Sequence, residues 1–266
     1  AVGAQHVRSP FGFPFALLFL AATVFFTHAT LPRPAPLFWL WIVSGALTQI
    51  AGAALMLMTM TERSFVVTVA YLKTEPLFVA ALGLIYLHDP LTLGMAAAIV
   101  IATMGVVLIS LRTGVETSGG LRPALYGLAS GAMFAISAIG YRGGILALHL
   151  PGYLLPATFA LAVGLTVQAA VLSAYLAATN PSVMRAIVRL WRPSLFAGFM
   201  GATASQFWFV AFALATAASV RTLGLLDVLF GQMVSHVLFR QKTTAREAAG
   251  IVLLVGGAIL LVYSHG

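Results

Sequence analysis

Residues 91–111 read LTLGMAAAIVIATMGVVLISL and residues 243–263 read TTAREAAGIVLLVGGAILLVY. Each is an apolar run opened by a threonine, and each has the length of ~20 residues that an α-helix needs to cross ~30 Å of hydrocarbon. A shift of 152 positions superposes them. Starting from Glu75-Pro76-Leu77-Phe78 on Asp227-Val228-Leu229-Phe230, the match runs without a gap to Leu111 and Tyr263, with nine of 37 pairs identical. The identities include Thr92 with Thr244, Ala96-Ala97 with Ala248-Ala249, Ile99-Val100 with Ile251-Val252, and Gly105 with Gly257. Apolar helices share composition, so identity alone carries little; the aligned acid and glycine carry more.

The rest of the chain extends this pattern. Of its 266 residues 61% are hydrophobic and 8% charged, with mean hydropathy +1.03. Soluble domains are about 25% charged, so a water-facing surface is excluded. Strands of an outer-membrane barrel alternate polar and apolar residues, whereas this sequence has long unbroken apolar runs. The expectation is an all-α polytopic membrane protein. Apolar runs bounded by Pro, Gly, Asn and charge give nine spans, at about 11–29, 37–60, 64–87, 91–111, 124–146, 153–177, 194–215, 218–239 and 245–263. Leu31-Pro32-Arg33-Pro34 and His88-Asp89-Pro90 read as tight turns between them.

The net charge of +8 would suggest nucleic acid in a soluble protein. Here the basic residues lie in short loops, where they orient the chain in a bilayer, and no nucleic-acid partner is expected. One side collects Arg8, Arg63, Arg112, Arg122, Arg185, Arg189, Arg192, Arg240, Lys242 and Arg246; the other has Arg33, Arg142 and Arg221. The positive-inside rule makes the first side cytoplasmic. The abundance of arginine and alanine points to a bacterial source and its cytoplasmic (inner) membrane. The chain has no cysteine, which excludes disulfides and thiolate metal sites. Its histidines show no ligand spacing, and it has no P-loop, so no metal, no cofactor and no direct use of ATP are expected.

The second half, 124–263, holds five spans and the first half four. An odd number of crossings per repeat turns the second copy upside down, and inverted repeats with a site at their interface are a transporter architecture. Glu75-Pro76-Leu77-Phe78, then His88-Asp89-Pro90-Leu91-Thr92 and the Ala- and Gly-rich run to Leu108, resemble the EamA-type repeat of the drug/metabolite transporter superfamily. The resemblance covers nearly the whole chain. It implies two inverted five-helix repeats around a central cavity, and efflux or exchange of small organic solutes such as amino acids, metabolites or drugs. It divides the chain into a first repeat at 1–111, a linker at 112–123 and a second repeat at 124–263, with the first helix of the first repeat expected before Ala1. Two departures stand out: that helix, and a C-terminus that the arginines place outside where the family commonly keeps both termini in the cytoplasm.

Ionisable groups inside spans are costly to insert and are functional candidates by default. Lys73, Glu75, Arg221 and Asp227 qualify, and their charges sum to zero. Lys73 lies about 200° round a helix from Glu75, so each needs a partner on another helix. Glu75 shares a face with Thr68, Tyr71 and Leu72, and Asp227 with Gly224, Gly231 and Ser235. Pro76 is expected to kink the third span and free carbonyls beside Glu75. The acids read either as lining or gating a pathway, by holding an ammonium group or a proton as coupling ion, or as pairs holding the repeats in register. Gln49 in the second span, with Ser205 and Gln206 in the seventh, are amides and a hydroxyl suited to a zwitterion, or to bonds between helices. Tyr141 and Trp208 are expected to stack on a solute ring. The leading function is a secondary transporter working by alternating access, with lipid and a small solute as partners. The alternative is an intramembrane enzyme acting on lipid-linked substrates.

Overall fold

The computed structural model describes residues 2–62, 68, 71–110, 121–182, 184, 191–230, 233 and 244–264. Among these, the regular elements are all helical: α1 (Val2–Thr27), α2 (Pro36–Glu62), α3 (Glu75–Leu82) ending in a π turn (Gly83–Leu87), α4 (Leu93–Ser110), α5 (Leu121–Ala147), α6 (Leu154–Thr179), α7 (Trp191–Leu214), α8 (Ala217–Leu223) running into a 3-10 turn (Gly224–Leu226), and α9 (Ala245–Tyr263). Six stretches among the described residues are long and apolar enough to cross a membrane: 36–61, 93–110, 122–147, 154–179, 194–214 and 245–263. The chain is therefore a multi-pass helical membrane protein. The first expected span corresponds to the shorter apolar stretch Phe11–Thr27. The third and eighth lie partly outside the described residues, as does most of the 112–123 linker.

Packing divides the chain into two units. One joins Ala1–Ala53 to Ile136–Ala215, the other Ala54–Ala135 to Thr216–Gly266, so α2 and α5 each contribute to both. In the first unit α1 packs on α6 and α7. There α2 and α5 cross at backbone contact, since a Cβ on Gly140 would lie 2.8 Å from the Gly45 Cα. Only small residues permit that approach.

In the second unit α4 packs on α9, and α3 on α8. The α4–α9 contact is antiparallel: Ile109 meets Gly250, Gly105 meets Leu254, and Ala102 meets Gly257. Moving back along α4 moves forward along α9. Under the 152-residue offset Leu254 is the counterpart of Ala102 and Gly257 that of Gly105. The caps match as well. Thr92 Oγ1 accepts from the Met95 N–H at 3.2 Å, and Thr244 Oγ1 accepts from the Glu247 N–H at 3.2 Å, where the Glu247 side chain completes a capping box. At the far end of α9, Ser264 lies beside Gly94 at the start of α4.

Three turns share one feature. His28, His88 and His149 each follow a helix with φ near +50°, a left-handed position that usually takes glycine. At His88 the Gly83 carbonyl accepts from both the His88 and the Asp89 N–H, closing the π turn. A Cβ in this conformation is strained, by about 1 kcal/mol or more, against a smaller entropic cost for glycine. His28→Gly and His88→Gly should therefore each stabilise the protein by about 0.5 kcal/mol. The check is thermal unfolding in detergent; a fall in either melting temperature would mean that the imidazole itself contributes there.

Candidate functional site

The four intramembrane charges gather in the second unit, each beside a break in its helix. Residues 71–72 are helical, Lys73 and Thr74 form a turn, and α3 starts at Glu75. Pro76 has no N–H to give the Leu72 carbonyl, which ends the preceding turn. Thr74 folds back instead, donating to the Tyr71 carbonyl from its N–H at 3.3 Å and from Oγ1 at 2.7 Å. The break rests on α5. A Cβ on Gly127 would come 2.6 Å from the Tyr71 Cβ, and one on Gly131 would sit 3.7 Å from the Tyr71 carbonyl oxygen and 3.8 Å from that of Leu72.

This corrects one sequence expectation. The face uniting Glu75 with Thr68, Tyr71 and Leu72 assumed an unbroken helix, and the turn at 73–74 removes that register. Thr74 occupies the Tyr71 carbonyl. Thr68 is fully buried.

The second break lies at the matching place. Thr216 caps α8 by accepting from the Ser219 N–H, and the helix tightens into the 3-10 turn Gly224–Leu226 just before Asp227. Leu225 in that turn is buried with Ala102, Val106, Ile109 and Leu254. This anchors the turn while Asp227 points outward. Gly231 and Ser235, expected on the Asp227 face, lie outside the described residues.

Each acid pairs with the cation of the other segment. Lys73 Nζ donates to Asp227 Oδ1 at 2.6 Å and to Oδ2 at 2.8 Å. Arg221 Nε lies 3.0 Å from Glu75 Oε1. The environments differ. Glu75 and Arg221 side chains are 16% and 21% exposed, with the two facing atoms themselves buried and not aligned as a hydrogen bond. Asp227 is 65% exposed and Lys73 19%. One pair is enclosed, the other open on its acidic side.

The first unit holds the amides. Gln49 Oε1 accepts from the Ser137 hydroxyl at 3.2 Å, linking α2 to α5. Gln206 Nε2 donates to Thr158 Oγ1 at 2.8 Å, linking α7 to α6. Because the Thr158 hydroxyl already donates to the Leu154 carbonyl, it can only accept from Gln206, which fixes the amide orientation. Gln206 Oε1 is then buried without a hydrogen-bond partner among the described residues, as is Thr203 Oγ1 one turn before it. Ser205 and Trp208 are half-buried, the Trp208 ring 6.1 Å from that of Phe212.

Tyr141 departs from its expected role. It is 4% exposed, its ring lies 4.7 Å from Phe209 and also touches Gly45 and Gly164, and its hydroxyl accepts from Gln168 Nε2 at 2.6 Å. An enclosed ring already stacked on a neighbour is a packing element. Sequence reasoning passed over Gln168, a buried amide whose only signal was a polar residue inside an apolar run. It also read Arg142 as a loop charge. Arg142 Nη1 donates to the Phe212 and Ala215 carbonyls at 2.6 and 2.5 Å, satisfying carbonyls at the α7 C-terminus where a cation is favourable.

No family model matches the chain, and no curated protein matches it in sequence. A solved crystal structure is similar over 97% of this chain and 88% of its own, with TM-score 0.73 and 14% identity. At that identity the likeness concerns the fold.

Proposed function

We propose that this chain is a secondary transporter of small organic solutes in the cytoplasmic membrane of a bacterium, built as two inverted repeats of the EamA type with nine spans in the sequence given. The observation that carries the reading is Asp227, 65% exposed within an apolar segment although its partner Lys73 is 19% exposed. The stretch Glu75–Leu87 runs from that level to the His88 turn. Thirteen residues at ~1.5 Å each span roughly 18 Å, about half of a ~30 Å hydrocarbon core. An accessible carboxylate at that depth does not face lipid; such groups face a water-filled path.

Two further features support inverted repeats. The helices α4 and α9, counterparts under the 152-residue offset, pack antiparallel on one another, and helix breaks precede both equivalent acids. Discontinuous helices at the bilayer midplane are where such transporters bind their solutes. An enzyme working on lipid-linked substrates would place its acids near the interface instead.

The test is flux. Purified protein in proteoliposomes loaded with the small-molecule fraction of a bacterial extract should release particular solutes faster than empty liposomes, as read by mass spectrometry. Identical release profiles from the two preparations would remove the transporter reading.

A further inference from the structure

The difference between the two ion pairs suggests different duties. Glu75–Arg221 is enclosed, while Asp227 keeps an open flank and is held by a flexible lysine stem. We infer that Lys73–Asp227 is the solute-binding element, opened by a small zwitterion whose ammonium takes Asp227 and whose carboxylate takes Lys73. The inference rests on the transporter reading and names its solute contacts.

Charge balance selects the zwitterion. Lys73, Glu75, Arg221 and Asp227 sum to zero and form two ion pairs between the same two segments. A lone cation inserted at Asp227 would add a net positive charge and leave the Lys73 ammonium, 19% exposed, without its carboxylate. A lone anion at Lys73 would strand Asp227. A solute with both charges exchanges one ion pair for two, and no group is left unpaired at any stage. The geometry suits this exchange. Both Asp227 oxygens are engaged by the single Lys73 nitrogen, so one ammonium replaces another on the same carboxylate, and the lysine stem has the rotamer freedom to withdraw. Arg221, at a helix end and against an enclosed acid, keeps its place and holds the two segments together while the open pair parts.

Carbodiimide cross-linking tests this on the detergent-purified protein. The chain contains two lysines, Lys73 and Lys242, so an amide between Lys73 and Asp227 is identifiable by peptide mass spectrometry, and its absence in Asp227→Asn confirms the assignment. The probe is N,N-dimethyltaurine, a zwitterion without an acylable amine whose sulfonate stands in for the solute carboxylate and is not activated by carbodiimide; methanesulfonate and tetramethylammonium at equal concentration are the controls. The cross-link should form in the free protein and fall about tenfold when the probe occupies nine-tenths of the sites, with little change in either control. No cross-link in the free protein, or equal yields with dimethyltaurine and methanesulfonate, would overturn the inference. Protection without flux in proteoliposomes would retain the binding element and remove transport. Flux without protection would retain transport and place the solute elsewhere.

Discussion

Glu75→Gln should be among the most destabilising single substitutions in this chain, and Arg221→Met should restore most of the loss. The substitution keeps the shape of the side chain and removes its charge, leaving a guanidinium whose Nε is buried without its counterion. Removing one partner of a buried pair costs about 3 to 5 kcal/mol, whereas replacing both is close to neutral. Asp227→Asn makes the contrast. At 65% exposure its carboxylate is solvated, and exposed pairs contribute roughly 0 to 1 kcal/mol, so that variant should unfold near the parent. Thermal unfolding of the four proteins in one detergent decides the matter. A Glu75→Gln protein as stable as Asp227→Asn would show that the enclosed pair does not hold α3 to α8.

The second large effect concerns the α4–α9 contact. A Cβ on Gly105 would lie 2.5 Å from the Leu254 nitrogen and 2.7 Å from the Gly250 oxygen, and one on Gly257 would lie 2.6 Å from the Ala102 nitrogen. The obstructing atoms are backbone, so no side-chain rotation relieves them and the helices must move apart. Overpacking of this kind costs about 1 to 3 kcal/mol, and both Gly105→Ala and Gly257→Ala should fall at the upper end. Since backbone obstructs both glycines at nearly the same distance, their losses should be similar. Gly256→Ala is the control, because nothing lies within 4 Å of its added carbon. Losses at Gly105 and Gly257 no larger than at Gly256 would show that α4 and α9 are not packed at backbone contact.

The helices were legible because apolar runs of membrane length bounded by turn residues admit few other structures. The α4 and α9 starts fall within two residues of the expected 91 and 245, and the Thr92 and Thr244 caps that fix them appear in the structure. Breaks inside spans were harder to read. Pro76 announced the first, but placed it at Glu75 rather than at Lys73-Thr74, because a proline disrupts the turn before it. The second had only Gly224 as signal, and a glycine inside a helix does not specify a 3-10 turn. Zero net charge among four ionisable groups inside spans indicated pairing. Which acid takes which cation depends on how α3 and α8 pack, and periodicity places a side chain around its own axis only. Tyr141 shows the same limit, since an aromatic in an apolar run reads alike whether it faces a solute or Phe209.

Alternating access is the central claim, and the absence of native cysteine makes it directly measurable. Leu223, four residues before Asp227 and 38% exposed, is the position to use. In Leu223→Cys, a charged, membrane-impermeant thiol reagent should modify the residue in inside-out and in right-side-out vesicles alike, because the pathway opens to each side in turn. Modification from one side alone, or from neither, would contradict the account.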